Sequence, residues 1–237
     1  MAVVSISARF TLEADAIFHK ALAAGLEAKQ RNELLTGWNA LKPWRAELEA
    51  THGSLQAIVS RSNPDDPPDL IFEFDSKSLT VEVTDMNPHP NGQAQAIHRE
   101  EMPNAFVSLP AVSSHNLTKT EIRQVMTSKL WPPVEPVGDR QRDLLEVTTE
   151  QISRKTPMPN AKEMELDVLV LNIHQNLSFD SITKPLVESL AASRQNRLLH
   201  IPDQTMLLIH SEKNCLKFRS FLIDARGQLR TRSKGHE

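Results

Sequence analysis

Pro68-Asp69-Leu70-Ile71-Phe72-Glu73-Phe74, the short link Asp75-Ser76-Lys77-Ser78, and Leu79-Thr80-Val81-Glu82-Val83-Thr84 together decide the fold. Apolar and polar residues alternate on either side of a hairpin-sized turn, the pattern of two antiparallel strands. With the turn centred on Ser76 and Lys77, Phe74 faces Leu79, Ile71 faces Glu82 and Asp69 faces Thr84, and directly opposed residues share a sheet face. Period-two alternation then gives a core face of Leu70, Phe72, Phe74, Leu79, Val81 and Val83. The other face carries Asp69, Ile71, Glu73, Thr80, Glu82 and Thr84. Asp69 and Glu82 are expected to be diagonal neighbours, with backbones about 7 to 8 Å apart, so that their carboxylates converge on one cation.

Two carboxylates supplemented by backbone carbonyls and water suit Mg²⁺ or Mn²⁺, hard ions that prefer oxygen ligands and keep several waters. Such an ion polarises a phosphodiester and lowers the pKa of an attacking water. The same alternation also describes a solvated hairpin face with ordinary acids.

Working outward, the apolar residues between Leu12 and Leu41, among them Leu22, Leu26, Leu34, Trp38 and Leu41, recur at helical intervals. Pro43 can open a further short helix through Glu49, with Gly53 as its stop. Leu55 to Ser60 reads as a strand. Residues 86–138 read as an irregular insertion, interrupted by a weak helix near Gln93 to Glu101 and a better one from Lys119 to Leu130. In the latter, Thr118 and Glu121 have capping-box spacing. Asp139 to Lys155 is expected to be helical. Leu166 to Ile173 is the nearly continuous apolar run of a strand covered on both faces. A helix over Ser178 to Ser193 and strands over Thr205 to His210 and Leu216 to Ile223 follow, and strand, helix, strand in that order implies parallel strands joined by a crossover. The organisation expected is a helical amino-terminal segment over 1–52, an α/β core over 53–226, and a basic, frayed tail over 227–237.

Composition narrows the function. A net charge of −3 argues against coating nucleic acid by bulk electrostatics, though a local basic groove is compatible with it. The chain has no Tyr, which weakens any reading built on stacking single-stranded bases over exposed aromatics. No GxGxxG or GxxxxGK[ST] occurs, so common dehydrogenases and P-loop enzymes drop out. Cys215 is the only cysteine and cannot form an internal disulfide or a zinc ribbon. No apolar run is long enough for a membrane span and no leader pattern stands at the amino terminus, so a cytoplasmic address is expected.

Pro68-Asp69, the hairpin, and Glu82-Val83-Thr84 resemble the core motif of the PD-(D/E)XK nuclease-like superfamily, in a branch with Thr where the motif has Lys. The order of elements, helix, strands 55–60, 70–74 and 79–84, helix, strand 166–173, is similar to that core over roughly half the chain. The resemblance implies a restriction-endonuclease-like fold, a mixed central sheet flanked by helices. It also implies a Mg²⁺- or Mn²⁺-dependent endonuclease that hydrolyses phosphodiester bonds, with DNA preferred over RNA. Position by position, Asp69 and Glu82 become metal ligands, the Val83 carbonyl a third ligand, and Thr84 the occupant of the Lys site.

Thr84 departs from that pattern, because a hydroxyl supplies no positive charge to developing anionic oxygens. Lys155 is the replacement cation expected here, on a helix where Gln151 and Lys155 share a face. It can equally serve as a cation at a helix carboxyl end. The superfamily often adds a Glu from the first helix. Glu33 and Glu49 are the candidates, with Glu47 behind them, and each can also be an ordinary exposed charge. The rival reading is a catalytically inactive nuclease fold that binds nucleic acid or a protein. A third is a housekeeping α/β domain whose acidic hairpin is accidental. A homodimer is compatible with such a core, although no residue argues for it.

Overall fold

The computed structural model describes residues 4–7, 23–60, 68–86, 94, 97–98, 100–101, 118–127, 137–155, 166–173, 183–199, 201–213 and 217–234. Eight strands form one mixed sheet in which spatial order follows chain order. These are β1 (Val4–Ser7), β2 (Leu55–Ser60), β3 (Leu70–Phe74), β4 (Ser78–Asp85), β5 (Val168–Ile173), β6 (Met206–Lys213), β7 (Lys217–Ile223) and β8 (Leu229–Lys234). Neighbours from β1 to β4 are antiparallel, β4, β5 and β6 run parallel, and β6 to β8 are antiparallel again. The helices are α1 (Ala28–Leu41), α2 (Arg45–His52), α3 (Lys119–Thr127), α4 (Val137–Lys155) and α5 (Lys184–Gln195), with a 3₁₀ turn at Lys42–Trp44 between the first two.

The sheet is covered on both faces, and the alternation of β5 shows how. Val168 and Val170 join the cluster that contains Leu34, Trp38, Leu41 and Trp44, while Leu169, Leu171 and Ile173 join the cluster of Leu144, Ile152, Leu186 and Leu190. Helix α1 therefore packs on one face, and α4 and α5 on the other. Such burial on both sides is why β5 reads as an unbroken apolar run. Gly37 lets α1 approach the sheet closely, since a Cβ there would collide with the Leu70 δ-methyl. Trp44 closes the same layer by donating from its indole N–H to Ser220 Oγ at 2.7 Å, and Ser220 Oγ donates in turn to the Ala40 carbonyl at 3.0 Å.

Two expectations need correction. The turn between β3 and β4 is centred between Asp75 and Ser76, one residue earlier than expected, and the Phe74 N–H donates to the Lys77 carbonyl to close it. The register is therefore Ile71 opposite Thr80 and Phe72 opposite Leu79. Shifting the turn centre by one residue moves every partner by two, so the division into core and polar faces survives while each opposed pair changes. The basic tail, expected to fray, is instead strand β8, paired with β7 along Leu229–Lys234. Arg230 and Arg232 lie over the Trp44 ring at 5.4 and 4.8 Å and both pair with Glu47.

Several boundaries move slightly. The described part of the amino-terminal helix is Ala28–Leu41, α4 opens at Val137, and the helix before β6 begins at Lys184. Ala94, Ile97, His98, Glu100 and Glu101 are helical, and Ala94 and Ile97 bury against Ile122 and Met126 of α3. Leu12, Leu22, Ser178, Cys215 and the end of the Lys119 to Leu130 helix lie outside the described residues.

Candidate active site

The corrected register has one consequence for the acidic pair. If the pairing of Leu70 with Val81 is extended by one residue, Asp69 stands directly opposite Glu82 instead of diagonal to it. Pairing between the two strands ends at Leu70, whereas β4 continues to Asp85. The edge of β4 beyond Val81 therefore lacks a backbone partner from β3, and side chains take over. The Asp69 carboxylate accepts from the Val83 N–H at 2.8 Å, and the Glu82 carboxylate accepts from the Asp69 N–H at 3.2 Å. In an extended strand the N–H and C=O of one residue leave by the same edge. The Val83 carbonyl thus leaves β4 on the side where Asp69 sits.

Lys155, at the carboxyl end of α4, reaches across this face and donates from Nζ to Glu82 Oε1. Glu82 is almost fully buried and Lys155 half-buried. Glu33 of α1 is near enough to Asp69 and Glu82 to feel their charge, with Lys29 Nζ at 3.6 Å on its own helix. Burial, then the negative charge of Asp69, push the Glu33 carboxyl up to about 7, with Lys29 opposing and Glu82 adding a smaller push. Burial also raises Asp69, against the Val83 N–H bond and the positive charges of Lys155 and Lys29. Burial raises Glu82 despite its bond to Lys155. The Lys155 amine is lowered by burial but raised more by Glu82, Asp69 and Glu33, and ends above the ordinary lysine value. Three carboxyls thus face two ammoniums, Lys155 and Lys29, in a largely desolvated place, and the ordinary response to an excess of buried negative charge is proton uptake or cation binding.

Val83, Thr84 and Lys155 also line a cleft of about 590 Å³ at the carboxyl ends of β4, β5 and β6, with Glu33 on the opposite wall. Carboxyl ends of parallel strands are where open α/β sheets bind ligands. Neither Asp69 nor Glu82 lines the cleft.

The remaining candidates are elsewhere. Glu49 is held by Arg45 Nε at 2.8 Å and accepts from the Leu55 N–H at 3.2 Å, which fixes the junction of α2 and β2. Glu47 belongs to the β8 arginines. Gln151 is half-buried one turn before Lys155 and is not part of the cleft wall. Lys77 pairs with Asp167 at the far end of the hairpin.

Among the described residues, no group of three or more His, Cys, Asp and Glu side chains is gathered closely enough to hold a metal ion. The Asp69 and Glu82 carboxyls are close enough to act on each other's ionisation, and both are oxygen donors. That set fits a Mg²⁺-like ion whose remaining ligands are water.

Cleft residues not anticipated from sequence are Lys29, Asn32, Leu35, Thr36 and Asn39 on α1, Asp85 on β4, Asn172 on β5 and His210 on β6. The α1 group had a visible signal, since residues 29, 32, 33, 36 and 39 form a polar stripe at spacings of three and four opposite the apolar one. Asn172 follows the apolar run 168–171 of β5 and His210 the apolar run 206–209 of β6, and burial lowers the His210 imidazole to about 4, so it is neutral at pH 7. A scan against family models and searches of curated proteins and of solved structures each found no match.

Proposed function

We propose that this chain is a Mg²⁺- or Mn²⁺-dependent nuclease with a restriction-endonuclease-like core, hydrolysing phosphodiester bonds in DNA in preference to RNA. The observation that carries the reading is the crosswise bonding of Asp69 and Glu82 at the point where β3 leaves β4, with Lys155 delivered to Glu82 from another helix. A solvated surface hairpin would not place both acids in a buried position against a cation from α4.

In this reading Asp69, Glu82 and the Val83 carbonyl hold the ion, which supplies Lewis-acid polarisation of a phosphoryl oxygen and a water of lowered pKa. Thr84, lining the cleft two residues beyond Glu82, orients the attacking water or the substrate by its hydroxyl. Lys155 supplies the positive charge that Thr84 lacks, offsetting the charge that develops on the phosphoryl oxygens. Glu33 is the accessory acid, placed to accept a proton at neutral pH.

One observation favours the inactive alternative. The bond from Lys155 already neutralises Glu82, so the site is partly balanced with no ion. Calorimetric titration with Mn²⁺, followed by cleavage assays on DNA and RNA, separates the two. Binding in the micromolar to millimolar range with metal-dependent cleavage supports the nuclease, whereas no heat at millimolar Mn²⁺ overturns it.

A further inference from the structure

The cleft touches the proposed metal ligands only at Val83, and its lining is chemically mixed. Near Thr84 it is charged. Asn32, Thr36 and Asn39 of α1, Asn172 and the neutral His210 add uncharged polar groups to the lining, and Asp85 adds a further carboxylate beside Asn172. Asn172 is held in place by donating from Nδ2 to Asp85 at 2.8 Å, which leaves its carbonyl oxygen as an acceptor. From Asn32 to Asn39 is seven residues, about 10 Å along a helix rising 1.5 Å per residue.

A phosphate chain would call for clustered Arg and Lys, but the Lys29 charge is next to Glu33 and that of Lys155 is on Glu82. With Asp85 beside Asn172 disfavouring an anion, what these amides and hydroxyl suit is a neutral group dense in donors and acceptors, the chemistry of a base and its sugar. Its size agrees, since pockets of ~300–1,000 Å³ enclose ligands of about that mass, while a duplex is far too wide to enter.

Resting on the nuclease reading, we infer that the cleft is a subsite for one unpaired nucleoside next to the scissile phosphodiester, held by the amides of Asn32, Asn39 and Asn172. The substrate is therefore a single strand or an unpaired end. Hydrogen bonding does the holding here, which suits a cleft whose only ring among the described residues is His210.

The test is binding of a labelled single-stranded DNA of roughly ten nucleotides, and of the same sequence as a duplex, in Ca²⁺ to suppress cleavage. Parent, Asn39→Leu and Asn32→Leu are compared, with Asn39→Ala in reserve should a leucine variant unfold. Losing a set of hydrogen bonds should weaken single-strand binding about tenfold, with Mn²⁺ affinity unchanged and the duplex binding less tightly than the single strand. Parent-like binding by the folded variants, equal affinity for duplex, or no single-strand binding by the parent overturns the subsite. If the asparagine variants lose binding while the parent takes up no Mn²⁺, the subsite stands and the nuclease reading falls.

Discussion

Asp69 and Glu82 each accept a hydrogen bond from the other's strand, the Val83 N–H to Asp69 and the Asp69 N–H to Glu82. The two acids are therefore structural continuations of the β3–β4 ladder as well as candidate ligands. Substitutions that keep an acceptor separate these roles. Asp69→Asn and Glu82→Gln should keep thermal stability near that of the parent while Mn²⁺ binding is lost and cleavage falls by at least about 10²–10³-fold, the scale of removing one transition-state electrostatic contact. Parent-rate cleavage by either variant rules out the assignment.

Lys155→Met should expose the cost of the Glu82 charge. With its partner gone, a carboxylate only 3% exposed must stay charged alone or take up a proton, and stability should drop by about 1–3 kcal/mol at neutral pH. The sign with pH follows from proton uptake. A carboxyl whose folded pKa is raised binds more protons folded than unfolded, so the deficit shrinks as pH falls through that pKa and is greatest above it. Denaturant melts of parent and variant across pH 5 to 9 check this, and Lys155→Arg should recover part of the loss.

His210 carries the opposite dependence. Its folded pKa of about 4 lies below the ordinary 6.5, so the unfolded chain binds the extra proton between those values. Stability is fully present above 6.5 and is lost as pH falls toward 4, by roughly 3 kcal/mol at about 1.4 kcal/mol per pKa unit. In His210→Gln the acid-induced loss of stability over that window should be distinctly smaller. An unchanged pH profile in the variant would show that His210 does not set it.

Gly37→Ala should affect the site from a distance. The new methyl meets Leu70 in a fully buried position, and overpacking of this kind costs about 1–3 kcal/mol. Because α1 carries Glu33 only one turn from Gly37, relief by shifting the helix would move that carboxyl off the cleft wall. The expected outcome is a lower melting temperature together with a weaker pH dependence of cleavage near neutrality.

The parts of the fold legible in the sequence are those where burial writes a periodic pattern. The two faces of the hairpin, the apolar run of β5 and the stripe of α1 all fall in this group. The hairpin register was not legible, because Asp75-Ser76-Lys77-Ser78 holds no Gly or Asn to impose one turn type. β8 was hidden as well. Leu-Arg-Thr-Arg-Ser-Lys has no core face of its own, and its place comes from the edge of β7 and the Trp44 ring. For the site, local spacing indicated that Asp69 and Glu82 share a face. The choice of Glu33 over Glu49 depends on how helices dock, which their spacing does not encode.

Strand order that follows chain order lets the sheet grow outward during synthesis, each new strand finding its neighbour already in place. The latch on α1 breaks that progression, because Trp44 and Ala40 wait for Ser220, 176 and 180 residues later. Glu33 rides on the helix so secured. A ribosome-bound chain that already carries Asp69, Glu82 and Lys155 would still lack this tie between the end of α1 and the sheet until β7 had emerged.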